Sequence, residues 1–282
     1  MRKAEKLGRR LREALDAEKP LIMPDAYDAL NAKLIERAGF AAVQCSGFCM
    51  ALAGTGLPEE KYSREDNLRT TRRIVEAVSL PVMADGEDGY GDLPEVADTV
   101  RLFIEAGAAG INLEDQNLHG PDDLGPIVPP EVMVEKIGAA QKTRDALGCP
   151  NFVINARTDA LALSEDRQDG LLKAAGRAWD YLDAGADLAF IVGVATLEEA
   201  EWLIGEVEGP LSLTVGLPYN LESLPLDKLC ALKPARISLP LLPMMAAMGG
   251  MEKLLVDVKA QSTFDVETIK SGVGVLGDLL KS

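Results

Sequence analysis

Between Leu80 and Asp92 the chain reads L-P-V-M-A-D-G-E-D-G-Y-G-D: an apolar run of strand length breaks abruptly into Asp85, Glu87 and Asp88, followed by Gly89 and Gly91. The same signature recurs twice. Ala109–Leu113 ends in Glu114 and Asp115, and Phe152–Ala156 ends in Arg157, Thr158 and Asp159. Charge at the end of a buried strand is costly unless it is paired or coordinates a metal. Repeated at one end of parallel strands, it predicts a divalent-ion site. Carboxylates from several strand ends suit Mg²⁺, which keeps one or two of them and several waters in an octahedron; Mn²⁺ fits the same oxygen donors. Asp85 is the central candidate ligand, with Glu87 and Glu114 acting through bound water.

Other charged positions fit quieter roles. Asp92 precedes Pro94 and suits a helix cap, and Asp88 suits a solvated loop. Arg157 could clamp a substrate carboxylate in bidentate fashion, or pair with Glu114 or Asp159, or both. Ser46-Gly47 closes a second apolar run, where backbone N–H groups could hold a substrate oxygen. Cys45 and Cys49 read as small buried hydrophobes. His119 is the only histidine. It lies among Asn117, Gly120, Pro121, Asp122 and Asp123, as an exposed loop residue or as the acid/base of a gate loop.

A repeating unit must position these residues. Arg37-Ala-Gly-Phe, Glu105-Ala-Gly-Ala and Asp183-Ala-Gly-Ala each read as a helix end, a glycine stop and a strand. Strands are predicted to start near Leu21, Ala41, Pro81, Ala109, Phe152, Leu188, Leu211 and Arg236. Each is mostly a continuous apolar run, as expected where helices cover a parallel sheet. Eight such units predict a (β/α)8 barrel in one domain, with its active site at the C-terminal strand ends. A doubly wound open sheet is the alternative, but no G-x-G-x-x-G follows the first strand. Arg2–Ala17 reads as an amphipathic leading helix, and Asp25-Ala-Tyr-Asp28 as the start of a helix capped by Asp25 or Asp28. The tail, about 248–282, is predicted to be helical, to outrun a closing barrel helix and to pack on a neighbouring subunit of a homodimer or homotetramer.

Composition excludes some partners. The 282 residues carry 29 basic and 45 acidic side chains, a net charge of −16, which repels nucleic acid and anionic membrane. A small anionic substrate therefore needs a local metal or arginine. No apolar run reaches the roughly 18 residues of a membrane span, and the four cysteines show neither CxxC nor zinc spacing. The expectation is a cytoplasmic protein.

In combination these motifs resemble the isocitrate lyase/phosphoenolpyruvate mutase superfamily. Asp25–Ala32 resembles its opening helix, Cys45-Ser-Gly47 its substrate-binding turn, Asp85–Gly91 its metal loop, Leu113-Glu-Asp115 its second acid site and Ala156-Arg-Thr-Asp159 its arginine strand. The resemblance implies Mg²⁺ on Asp85 and, through water, on Glu87 and Glu114. It implies substrate binding by Ser46, Gly47, Asp85 and Arg157, and catalytic roles for Arg157, Glu59 and the gate. Glu59 and Glu87 stand where many members have Asp. Neither the Lys-Arg-Cys-Gly-His gate of the lyases nor the Lys and Asn of the mutase gate is present, which leaves His119 as the gate's candidate acid. The implied reaction is Mg²⁺-dependent carbon–carbon lysis, decarboxylation or hydrolysis of a small 2-oxo or 2-hydroxy carboxylate through an enolate-like intermediate. Phosphonate P–C rearrangement or hydrolysis, and a non-catalytic carboxylate-binding barrel, are the alternatives.

Overall fold

The computed structural model describes residues 2–279 apart from 57, 262 and 264. Eight parallel strands close a barrel in sequence order: β1 Leu21–Ala26, β2 Val43–Cys45, β3 Val82–Asp85, β4 Gly110–Glu114, β5 Val153–Thr158, β6 Leu188–Ile191, β7 Leu211–Thr214 and β8 Arg236–Leu239. Closure is made by β8 against β1, in register from Leu21↔Arg236 to Pro24↔Leu239. This is the (β/α)8 architecture, and each strand begins within two residues of the position its apolar run predicts. The agreement has a simple cause. Strands buried on both faces need unbroken apolar sequence, and the Pro and Gly joins around them leave little freedom in register.

Helices α2 (Ala29–Arg37), α3 (Gly47–Thr55), α4 (Arg64–Ala77), α5 (Leu93–Ala106), α6 (Pro130–Ala146), α7 (Arg167–Asp183), α8 (Leu197–Glu206) and α9 (Leu226–Ala231) fill the connections. Asp92 caps α5, accepting from Glu95 N–H, as its place before Pro94 predicts. The repeated Ala-Gly stops work as expected: Gly107 ends α5 at φ +90°, a conformation that costs other residues a steric penalty. Ahead of the barrel, α1 (Lys3–Leu15) buries Leu7 and Leu11 against Leu21, Met23, Met83, Val153 and Leu188. It thereby seals the N-terminal ends of the strands and leaves the opposite end for chemistry.

Two expectations are corrected. Asp25 neither opens nor caps a helix: β1 continues to Ala26, with Asp25 in register with Gln44. Asp28 is the cap, its carboxylate accepting from Asn31 N–H at 2.6 Å. The tail helix starts earlier than predicted. Helix α10 spans Leu242–Lys259 and α11 spans Val266–Leu279, while 280–282 lie outside the described residues. Met244 alone is buried in α10, and no described residue of α11 is buried. Met248, Met251, Leu255, Val273 and Leu276 are all more than half exposed. No helix among the described residues is long and apolar enough to cross a membrane.

Candidate active site

The loop after β3 is wound tightly. Glu87 and Tyr90 adopt left-handed backbone angles, φ +48° and +64°, which cost non-glycine residues about 1–3 kcal/mol each. Surrounding bonds enforce them. Asn112 O accepts from Gly86 N–H at 2.9 Å, and Glu87 O accepts from Glu114 N–H at 2.9 Å. Asn67 Nδ2 donates to Asp85 O at 2.9 Å and to Tyr90 Oη at 2.8 Å, while Lys136 Nζ donates to Asp88 O at 2.6 Å. The result turns Asp85 and Glu87 inward.

There they meet Glu59, from the short 3₁₀ turn Glu59–Lys61. One carboxylate oxygen from each of Glu59, Asp85 and Glu87 lies within 4.8 Å of the others. Gly47 makes room for them. A Cβ at this position would overlap Glu87 Oε1 and stand 2.5 Å from Glu59 Oε1, and its N–H donates to Asp85 Oδ2 at 2.8 Å. Burial, reinforced by Asp85, Glu59 and Glu114, pushes the Glu87 carboxyl well above the ordinary range. Burial likewise raises Asp85. Three oxygen donors crowded in a buried pocket with raised affinity for a positive charge fit a hard divalent cation.

Glu114 is not a member of that trio. Its Oε2 lies 2.7 Å from Arg157 Nη1, and Arg157 also holds Asp159, Nη2 to Oδ1 at 2.8 Å. Burial opposes the charge on Arg157, but Asp159 and Glu114 outweigh it and keep the guanidinium charged. The ion-pair reading of Arg157 therefore holds, and the residue also lines a cavity of about 270 Å³ at the barrel mouth together with Ser46, Glu59 and Asp85. Ser46 Oγ accepts from Cys49 N–H at 3.3 Å, capping α3.

Comparison with known proteins agrees with this geometry. The family model described as phosphoenolpyruvate phosphomutase matches residues 11–259. A 2-methylisocitrate lyase of Escherichia coli (strain K12) is 36% identical over 246 residues, covering 85% of this chain and 79% of the relative. Among solved structures, a 2,3-dimethylmalate lyase, described as a PEP mutase/isocitrate lyase superfamily member, has a TM-score of 0.80 at 26% identity, over 95% of this chain and 91% of that one. A phosphonopyruvate hydrolase in complex with oxalate and Mg²⁺ has a TM-score of 0.81 at 28% identity, over 99% of this chain and 96% of that one. The chain belongs to the isocitrate lyase/phosphoenolpyruvate mutase superfamily.

His119, on the loop after β4, is exposed as its polar surroundings predict, but Asp88, on the loop after β3, is not the solvated acid its sequence suggests. Asp88 is 1% exposed, not solvated. Its Oδ2 accepts from Leu118 N–H at 3.2 Å and His119 N–H at 2.8 Å, and its Oδ1 meets His119 Nδ1 at 2.7 Å. Burial would raise the Asp88 carboxyl, but the bonds from His119 and the charge of Lys136 hold it below the ordinary range. His119 stacks at 4.9 Å on Tyr90 and is not among the described residues lining the 270 Å³ cavity. It lines a separate cleft with Leu93, Leu124 and Val132. The ring thus ties the loop after β4 to the loop after β3. His119→Gln is expected to keep kcat/KM within about ten-fold of wild type, with an unchanged pH profile. A general acid contributes about 10²–10⁴-fold, so a loss above a hundred-fold would return the acid role to His119.

Sequence reasoning passed over Asp25, Phe190 and Tyr219, which all line the cavity. Asp25 is buried; burial pushes its carboxyl up to about 8 against the pull of Arg236. Arg236 itself is fully buried inside the barrel, donating to Ser212 Oγ and Gln44 Oε1 at 2.9 Å each, with Phe190 stacked at 5.1 Å. The signal for Asp25 was present. A carboxylate ends the apolar run Pro20–Pro24 just as Asp85 ends its own.

Proposed function

We propose that this chain is a Mg²⁺-dependent enzyme that cleaves a carbon–carbon bond of a small 2-oxo or 2-hydroxy carboxylate through an enolate-like intermediate. One observation carries the reading: the Glu59–Asp85–Glu87 cluster and Arg157 open onto the same cavity at the C-terminal strand ends, where barrels of this kind do their chemistry. Mg²⁺ held by Asp85, Glu87 and Glu59, with Glu114 further out, would supply a Lewis acid for the substrate oxygen that gains negative charge. Arg157, fixed between Glu114 and Asp159, presents a rigid planar donor to the substrate carboxylate and sets its orientation. Ser46 and the Gly47 N–H bound the same end, and Gly47 keeps Asp85 aimed inward. Mn²⁺ is expected to substitute, since the donors are all oxygen.

Carbon–carbon chemistry is favoured over a phosphonate reaction because Arg157 is the single Lys or Arg among the described cavity-lining residues, and a carboxylate plus a doubly charged phosphonate would ask more of it. A panel of oxo and hydroxy acids and phosphonopyruvate, read by release of pyruvate, CO2 or phosphate, tests the assignment. Turnover of phosphonates alone would overturn it, and oxalate binding without any turnover would make the protein a binding barrel.

For assembly, we propose that the apolar faces of α10 and α11 pack on a neighbouring copy in a homodimer or homotetramer. Support comes from the exposed large apolar side chains of Met251, Leu255, Val273 and Leu276, residue types that mark interaction surfaces when they cluster. Sedimentation at micromolar concentration is expected to give a dimer or tetramer, and removal of residues 261–282 to weaken it; a monomeric full chain would contradict the assembly. With Cys45, Cys49 and Cys149 buried as free thiols, a reducing compartment such as the cytoplasm suits the protein.

A further inference from the structure

The cavity is lined by two chemistries. Arg157 and the acids share it with an apolar wall of Phe48, Phe190, Val192, Leu217, Tyr219 and Leu241, and Phe190 stands beside Arg157, in register on the adjoining strand. This wall is fixed in place. Phe190 rests on the buried Arg236 guanidinium, and Tyr219 Oη accepts from Gly193 N–H at 3.1 Å and lies 3.3 Å from Thr214 Oγ1, so its ring stands as a side of the pocket.

Charge is as uneven as polarity. Asp25, Glu59, Asp85 and Asp159 line the cavity against Arg157 as its single Lys or Arg among the described residues, and Arg157 already serves Glu114 and Asp159. Other basic side chains among the described residues are engaged elsewhere. Arg236 is sealed inside the barrel, Arg167 is bound to Glu199, Lys136 is tied to Asp88 O, and the candidate gate loop, Asn117 to Pro126, contains neither Lys nor Arg. A substrate can place one carboxylate at Arg157. A second carboxylate would find no second Lys or Arg among the described lining residues, only the neutral groups of Ser46, Asn112, Thr214, Tyr219 and Ser238, and would face four acids, a poor return for its lost hydration.

We infer that this site selects a 2-oxo or 2-hydroxy monocarboxylate bearing an uncharged, apolar tail, and discriminates against dicarboxylates of the same size. The inference rests on the proposed function, which supplies the acid head, while the tail preference comes from the wall. The volume, about 270 Å³, falls below the roughly 300–1,000 Å³ typical of drug-sized sites, so the tail is short.

The test compares binding of a near-isosteric pair, 4-methyl-2-oxopentanoate and oxaloacetate, in which an isopropyl group replaces the distal carboxylate. Both are titrated calorimetrically into the full chain with Mg²⁺, with oxalate as the probe of the head alone. The expected result is oxalate binding, and 4-methyl-2-oxopentanoate bound at least ten-fold more tightly than oxaloacetate. Leu217→Arg, on the loop after β7, is expected to shift that ratio toward oxaloacetate by ten-fold or more, well beyond any change in oxalate affinity. If oxalate binds but oxaloacetate binds as tightly as its apolar counterpart, the tail preference is wrong and the head site stands. If oxalate and both oxo acids fail to bind, the proposed function falls and the inference with it.

Discussion

Arg157→Met is expected to lower kcat/KM by about 10³-fold or more, equivalent to roughly 4 kcal/mol of transition-state stabilisation, and to destabilise the fold as well. The double effect follows from the ion pairs. Glu114 and Asp159 are 3% and 6% exposed at their side chains, and breaking a buried pair by removing one partner costs about 3–5 kcal/mol. Arg157 is itself 24% exposed, so water relieves part of this and the lower figure applies. Since Tm moves by about 2–4 °C per kcal/mol in chains of this size, a drop of at least 6 °C is expected at pH 8. The drop should shrink toward pH 5. Burial already holds the Glu114 carboxyl well above its ordinary range, and without the guanidinium it protonates more readily still, removing the unpaired charge. A variant that loses activity with a pH-independent Tm change would place Arg157 outside this carboxylate network.

Asp85→Asn is expected to do the opposite to stability and the same to function. Asp85, Glu87 and Asp25 all have carboxyls raised by burial. An acid whose folded pKa exceeds its unfolded value binds more protons when folded, so its contribution is full below the unfolded pKa and is lost as pH rises toward the folded one. For Asp25 that window runs from the ordinary carboxyl value of 3.8 to about 8. The metal-free protein should therefore lose Tm steadily from pH 5 to pH 8, and Mg²⁺ should restore most at the alkaline end. Asn at position 85 removes one of the repelling charges yet can still accept the Gly47 N–H through its amide oxygen. A gain of about 1 kcal/mol, roughly 2–4 °C, is expected in metal-free buffer at pH 8, together with loss of the Mg²⁺-induced shift. An acid cluster that stabilised the protein by itself would instead make Asp85→Asn destabilising at every pH.

The sequence carried the scaffold further than the details of the site. Strand positions were legible because a parallel barrel demands continuous apolar runs, and the acids at their ends announced the catalytic face. What escaped was tertiary. Asp25 and Asp28 are both acids near a helix start, and only the register of β1 against β2 makes the first a cavity residue and the second a cap. Asp88 sits in a glycine-rich loop that looks solvated; its burial depends on the gate loop folding back so that Leu118 and His119 meet it. Glu59 was legible as an acid aligned with the family's own, but its union with Asp85 and Glu87 required the missing Cβ of Gly47. The wall of Phe190, Val192 and Leu217 reads in sequence like any core strand and loop.

The central claim is that the carboxylate cluster at the barrel mouth binds a divalent cation through Asp85. Calorimetric titration of Mg²⁺ into metal-free wild type and into Asp85→Ala, at pH 8 and with folding verified by circular dichroism, tests it most directly. Binding near one ion per chain by wild type, and none by a folded Asp85→Ala, is the expected result. Equal Mg²⁺ affinity in the two proteins would contradict the account.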